Sequence, residues 1–384
     1  MANTVKLGDL ITPAKIEKAG DREFPVLSMT MHNGLIEQKD RFKKEISSSD
    51  KSNYKVVHKG QLVVSFPIDE GVLDFQMIVP AGIVSPAYAI WNITTDQVDP
   101  VYLGRYLRSP IAIAYYKAKL RGSTARRRTI PKQDFLNMNV PLPSLEEQER
   151  IVAVLDEAKS VIEAQERQLS LLDELTSSLF ISMFGSPTSW KSRYKMTTIG
   201  QLVTSTQYGT SSKSEEKGKY PILRMGNITD NGQIDLTDLK FQDLTSSEVD
   251  KYTVKQGDLL FNRTNSKEKV GKCAVVRSVE PLGYAGYIVR ARFANEAYSE
   301  FVAAYMNSSY GKTLRRKMAK AAVNQANINA TEFKKIEVPY VSNEDLKQFS
   351  KLVNQVQEYR LDIILHMEQS RALYSSLRSS LFSR

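Results

Sequence analysis

Hydrophobic and polar positions change rhythm twice along the chain, in the same way each time. Short runs such as Gln61 to Pro67 (QLVVSFP) and Cys273 to Val279 (CAVVRSV) are broken by Gly, Pro and Asn, which predicts strands joined by turns. From Glu146 to about Phe184 the pattern is helical. Ile151, Val154, Ala158, Val161, Gln165, Gln168, Leu172, Leu175 and Leu179 recur at alternating steps of three and four, with no Gly or Pro between them. The stripe returns from Glu344 with Phe349, Leu352, Val356, Tyr359, Ile363, His366, Ser370, Leu373 and Leu377, each 198 residues after its counterpart. Ser144, with Glu147 three residues on, predicts a capping box, and Gly185-Ser186-Pro187 predicts the end of the first helix. At 1.5 Å per residue, about 39 residues make a helix of roughly 58 Å.

The strand-rich stretches repeat as well. Lys6-Leu7-Gly8-Asp9-Leu10-Ile11 matches Thr198-Ile199-Gly200-Gln201-Leu202-Val203, and Phe24-Pro25-Val26-Leu27-Ser28-Met29 matches Tyr220-Pro221-Ile222-Leu223-Arg224-Met225. Tyr102 to Ser109 then matches Phe301 to Ser308, and Ile130 to Pro141 matches Ile328 to Pro339. A duplication this long dictates architecture before any motif is weighed. It predicts an α+β chain of mixed build, written as globule, long helix, globule, long helix. The segments are residues 1 to 145, 146 to 185, 186 to 340 and 344 to 384. Matching stripes predict that the two helices pack on each other, antiparallel about a pseudo-two-fold axis. The pairing positions are Ile151, Val154, Val161, Leu172, Leu175 and Leu179 against Phe349, Leu352, Val356, Tyr359, Ile363, Leu373 and Leu377. By the same symmetry, a half-chain ending near Gly185 is expected to pair with a second copy of itself.

Composition narrows the chemistry. A single cysteine, Cys273, excludes an intrachain disulfide, and His32, His58 and His366 stand far apart, so no metal site is expected. The opening Met-Ala-Asn-Thr-Val-Lys-Leu lacks the features of a leader, and no apolar run approaches the length of a membrane span. A cytoplasmic chain without membrane contact is the expectation. The net charge of +10 is unevenly spread. Arg105, Arg108, Lys117, Lys119, Arg121, Arg126, Arg127, Arg128 and Lys132 lie between Pro100 and Gln133 with no acid among them. Lys312, Arg315, Arg316, Lys317 and Lys320 occupy the matching stretch of the second copy, again without an acid. These two segments exceed the charge of the whole chain, so the rest is net acidic.

Recurrence of the basic segment in both repeats, interleaved with Tyr102, Tyr106, Tyr115 and Tyr116 and with Tyr305 and Tyr310, points to two equivalent nucleic-acid surfaces. The polar loops that follow differ, with arginines at 126 to 128 in one and Asn324, Gln325 and Asn327 in the other. Arginine suits guanine edges and Asn or Gln suits adenine edges, as reading two different half-targets requires. The candidate contacts are Lys117, Lys119, Arg121, Arg126, Arg127, Arg128, Arg315, Arg316, Lys317, Lys320, Asn324, Gln325 and Asn327. Catalytic motifs are missing. Gly311-Lys312-Thr313 lacks the first glycine of a phosphate loop, because position 306 is Met306, and Glu215-Glu216-Lys217 has no partner carboxylate. A doubled framework without doubled catalytic residues favours recognition over reaction. A stand-alone DNA-modifying enzyme or nuclease, and a coiled-coil scaffold binding protein, remain as alternatives.

One stretch carries a family resemblance: Ile130-Pro131, then Phe135 to Val152 (FLNMNVPLPSLEEQERIV). It resembles the junction in specificity subunits of type I restriction-modification systems, as does Gly257-Asp258-Leu259-Leu260 followed by Val270-Gly271-Lys272. The second junction, Val338-Pro339-Tyr340-Val341-Ser342-Asn343-Glu344, departs from the pattern by lacking Pro-Leu-Pro and Glu-Gln. The resemblance implies two target recognition domains, residues 1 to 145 and 186 to 340, separated by helical spacers. It further implies a non-catalytic chain that binds double-stranded DNA and docks two methyltransferase subunits and, for cleavage, restriction or translocase subunits. S-adenosylmethionine, ATP and magnesium would then belong to those partners, with no cofactor in this chain.

Overall fold

The computed structural model describes residues 3–31, 33–41, 50–121, 130–322 and 325–383. They fall into two compact units, one built from residues 1–165 and 365–384 and the other from 166–364. The division therefore runs through both long helices, Leu145–Phe184 and Asn343–Ser380, rather than setting them apart from the globules.

In the first unit the four-stranded antiparallel sheet has the order Ile11–Pro13, Ala89–Ile93, Leu62–Val64, Leu73–Phe75. Two helices, Pro100–Leu107 and Pro110–Lys119, follow it. Each has Pro in its first turn behind a capping side chain. Asp99 Oδ1 accepts from the Tyr102 N–H at 2.7 Å, and Ser109 Oγ accepts from the Ala112 N–H at 3.2 Å. Asn3–Lys6 then pairs antiparallel with Asn139–Leu142 and closes the globule just before the first long helix. Leu7, Leu62, Leu73, Leu103, Leu107 and Phe135 share one core with Ile151 and Leu155 of the first long helix and Phe382 beyond the end of the second.

In these elements the second unit repeats the plan of the first. Its sheet order is Val203–Tyr208, Ile288–Phe293, Leu259–Asn262, Cys273–Val275. Its helix pair is Ala297–Asn307 and Ser309–Met318, and Met196–Thr198 pairs with Glu337–Pro339. In its core Phe180 and Phe184 of the first long helix meet Phe349 of the second at ring-centroid distances of 6.0 and 5.2 Å. Phe184 and Phe382 are 198 residues apart and do the same work, each capping the core of one unit. Within each unit, then, the early turns of one long helix pack beside the late turns of the other.

The predicted seam needs one correction. Of its first positions, Ile151, Phe349, Val356 and Ile363 are buried. Its alternate positions are one residue off, since Val161, Leu175, Tyr359 and Leu373 are 42, 44, 66 and 58% exposed, and Val154 and Leu352 are half-buried. Leu155, Ile162, Val353, Arg360 and Met367 face inward instead. Both choices alternate three and four, so periodicity alone does not separate them. In the first helix side-chain size does: Leu155, Ile162 and Leu169 outweigh Val154, Val161 and Gln168 for core volume. Leu172, Leu179 and Leu377 are half-buried beside the seam. The 198-residue offset survives, because Leu155 with Val353 and Ile162 with Arg360 keep it.

Candidate nucleic-acid interface

The helix that carries the basic run in the first unit, Pro110–Lys119, buries Ala112 and Tyr116 and exposes Lys117 and Lys119. Arg121 is exposed beside Asp134, whose Oδ2 lies 3.6 Å from its guanidinium. Arg126, Arg127 and Arg128 lie outside the described residues. Two other arginines of the run are tied down. Arg105 is ion-paired with Asp156 of the first long helix. Arg108 lies 3.7 Å from Asp74, and its carbonyl accepts from Arg378 of the second long helix. The segment holds no acid of its own, yet folding brings Asp74 and Asp156 to it.

In the second unit the matching helix exposes Lys312, Arg316 and Lys317 but buries Arg315, which is 2% exposed. Arg315 is therefore removed from the candidate contacts. It stands 199 residues after Tyr116, the core-facing position of the first copy, and its Nη1 donates to the Val270 carbonyl at 3.2 Å. Its stem fills the space over Gly271, where an added Cβ would sit 2.6 Å from Arg315 Cδ. Burial pulls its pKa down. Lys320 begins the strand Lys320–Ala322, which pairs with Gln325–Asn327. Gln325 is exposed, whereas Asn327 is half-buried with its Oδ1 accepting from Thr264 Oγ1 at 2.9 Å. Asn324 lies outside the described residues.

The tyrosine interleaving is corrected too. Tyr102, Tyr106, Tyr116 and Tyr305 are core residues. The Tyr102 hydroxyl donates to the Pro141 carbonyl at 2.9 Å and that of Tyr116 to Leu107 at 3.0 Å. Helical spacing put these rings opposite the lysines, not among them. A basic and aromatic cluster does exist elsewhere in the second unit, where sequence reading missed it. Arg263 lies 5.0 Å over the ring of Tyr208, and Tyr208 and Tyr287 are partly exposed beside the strands Thr264–Asn265 and Gln325–Asn327. The available signal was Asn262-Arg263-Thr264-Asn265, a polar run directly after the buried Leu259-Leu260-Phe261.

Each unit has a cleft beside the turn of a hairpin or loop that ends in Asn-Gly. In the first, about 720 Å³ is bounded by Asn33, Asp74, Arg108, Lys117, Tyr374 and Arg378. In the second, about 460 Å³ is bounded by Asp173, Asn231, Arg277, Glu300, Asn307 and Gln357. Gly34 and Gly232 both have positive φ, 65° and 78°. A Cβ there would strike Asp74 Oδ2 at 1.7 Å in one and Asn307 Nδ2 at 2.2 Å in the other. The second cleft holds a partly buried ion-pair system. Arg277 donates twice to Glu300, at 2.7 and 2.8 Å. Asp173 pairs with Arg360 and accepts from Asn231 Nδ2 at 2.6 Å.

None of this is arranged for covalent chemistry. Cys273 is buried and its thiol is pushed up to about 12 by burial. Glu216 of the Glu-x-Lys run is paired with Lys240 at the surface. Gly311 sits in the first turn of a helix, its N–H on Ser308 Oγ at 3.1 Å. Among the described residues, no group of three or more His, Cys, Asp or Glu side chains could hold a metal ion, and no helix is long and apolar enough to cross a membrane.

Comparison with known proteins agrees with the resemblance. Residues 191–366 match the family model of the type I restriction modification DNA specificity domain. The chain is 24% identical over 263 residues to the type I restriction enzyme EcoKI specificity subunit of Escherichia coli (strain K12), covering 64% of this chain and 56% of that one. It is 30% identical over 148 residues to the putative type I restriction enzyme MjaX specificity subunit of Methanocaldococcus jannaschii, covering 38% and 35%. It thus spans about half the length of the first of these relatives and a third of the second. A structure solved to show complex assembly and conformational transition of the type I R-M system superposes with a TM-score of 0.59 at 14% identity, over 99% of this chain and 97% of that one. Residues 191–366 thus resemble the type I restriction modification DNA specificity domain, and over its length the chain is similar in sequence and fold to type I restriction-modification specificity subunits.

Proposed function

We propose that the chain is the DNA-recognition subunit of a type I restriction-modification complex. It is non-catalytic and cytoplasmic, reading a bipartite target with one short stretch per globule and an unread gap between. Methyltransferase subunits, and restriction subunits where present, dock on its helices. The observation that carries this is the repeat itself. Two units share one sheet order and one helix pair, expose lysine or arginine on the second helix of that pair, and differ in the polar segment that follows. Residues 1 to 145 and 186 to 340 act as the two target recognition domains.

The surface assignment separates neighbours on one helix. Replacing Arg316 and Lys317 by Ala is expected to weaken DNA binding and reduce the slope of log K against log salt by about two, one for each phosphate no longer neutralised. Arg315→Ala is expected to leave the slope unchanged and to lower the unfolding midpoint, since Arg315 meets protein rather than solvent. Replacing Arg126, Arg127 and Arg128 together by Ala is expected to reduce the slope by about three. Binding isotherms at a series of salt concentrations, beside urea unfolding, check all three. Unchanged slopes in the two surface variants would make the basic segments merely solvated faces. Methylation or cleavage by the purified chain alone would favour a self-contained enzyme instead.

A further inference from the structure

Most apolar positions of the two long helices have apolar counterparts in the other repeat, although Ile363 answers to Gln165 and Phe180 to Arg378, and the Asp173–Arg360 pair has no counterpart. In the second unit Arg360 is buried at the seam, paired with Asp173 and reaching the Leu169 carbonyl at 3.4 Å. Asp173 belongs to the first half of the chain. Both groups that hold it, Arg360 and Asn231, belong to the second. The repeat offset places Ile162 at the position equivalent to Arg360, Arg371 at that of Asp173, and Asn33 at that of Asn231.

These equivalences fix what a half-chain would meet in another copy of itself. Two first halves would keep an Asn beside Asp173, because Asn33 replaces Asn231, but would set Asp173 against Ile162. Two second halves would set Arg360 against Arg371, like charge against like. Only the unlike pairing joins Asp173 to Arg360. In a pair of first halves these apolar residues do not discriminate in this way, because Phe180 and Phe184 would meet Leu155 and Ile151 in place of Val353 and Phe349.

We infer that the Asp173–Arg360 pair makes the helix surface of the first half selective for the second half and selective against a second copy of itself. A buried polar pair is a known way to fix the partner of a helix. Each charge left without its partner disfavours the wrong pairing by about tenfold, less than for a fully buried charge because a quarter of the Asp173 side chain is exposed, and a pair of first halves strands two of them. The self-pairing expected from periodicity alone is thus suppressed, and two different readers stay joined.

The test uses the full chain with a protease site inserted between Ser186 and Pro187. It is folded intact, cut, and brought to a urea concentration at which the halves exchange. Two preparations with different tags on the first half are mixed, and native mass spectrometry counts particles carrying both tags. In the unsubstituted chain, doubly tagged particles are expected to stay below about one in a hundred, given the penalty per stranded charge. Replacing both residues, D173L with R360L, is expected to raise them at least tenfold, while the charge-exchanged D173R with R360D is expected to behave as the unsubstituted chain. Equal levels of doubly tagged particles in the unsubstituted and leucine chains would overturn the inference. So would a charge-exchanged chain that pairs as freely as the leucine one.

Discussion

Phe382→Ala is expected to destabilise the first unit by about 3–5 kcal/mol while leaving the second nearly unchanged. Phe382 is 4% exposed and packs between Tyr102 and Tyr106 at centroid distances of 5.7 and 5.5 Å. It is the far end of the sequence that completes the core of the first globule. Truncation removes a ring from a packed site and leaves a cavity that two anchored tyrosines cannot close, since their hydroxyls are held by Pro141 and Asn139. Amide hydrogen exchange separates the units. Protection in Leu62–Val64 and Pro100–Leu107 is expected to fall, and that in Leu259–Asn262 and Ala297–Asn307 to hold. An equal loss in both would mean that Phe382 does not act through the first core.

Glu300→Ala is expected to cost the second unit about 3–5 kcal/mol. The carboxylate is 8% exposed and accepts two hydrogen bonds from Arg277. Burial pushes its pKa up while the guanidinium pulls it down, so the pair is costly to bury and costlier to break. Removing Glu300 alone leaves the half-buried Arg277 charge without its carboxylate and with the Val275 carbonyl at 3.1 Å. Removing both charges, Glu300→Leu with Arg277→Met, is expected to recover most of the loss, because an apolar pair of similar volume needs no partner. Urea unfolding of the two variants gives the comparison, and a double variant no better than the single one would assign the loss to packing instead.

Much of the architecture was legible because duplication writes it twice. The helix ends, the 198-residue offset and the change from strands to helix all follow from local signals that the fold obeys. The seam phase was less legible, because Val154 and Leu155, like Val161 and Ile162, are both apolar and fit the same periodicity, so that only side-chain size favours Leu155 and Ile162. Arg315 was misread for a related reason. A charged residue at a core-facing helical position looks like surface until the Val270 carbonyl and the space over Gly271 are seen to receive it. Partners far apart in sequence, such as Arg105 with Asp156 or Asp173 with Arg360, leave no trace in a count of charges along a segment. The cluster of Arg263, Tyr208 and Tyr287 spans some 80 residues and was invisible for the same reason.

The central claim is that one chain carries two independent DNA readers. Selection of bound sequences from a random DNA pool tests it most directly, using the chain before and after residues 1 to 145 are exchanged for the corresponding stretch of a similar specificity subunit. The expected result is two short blocks of specified bases separated by a constant unspecified gap, with one block rewritten by the exchange and the other block and the gap unchanged. A single continuous block, or an exchange that alters both blocks together, would contradict the claim.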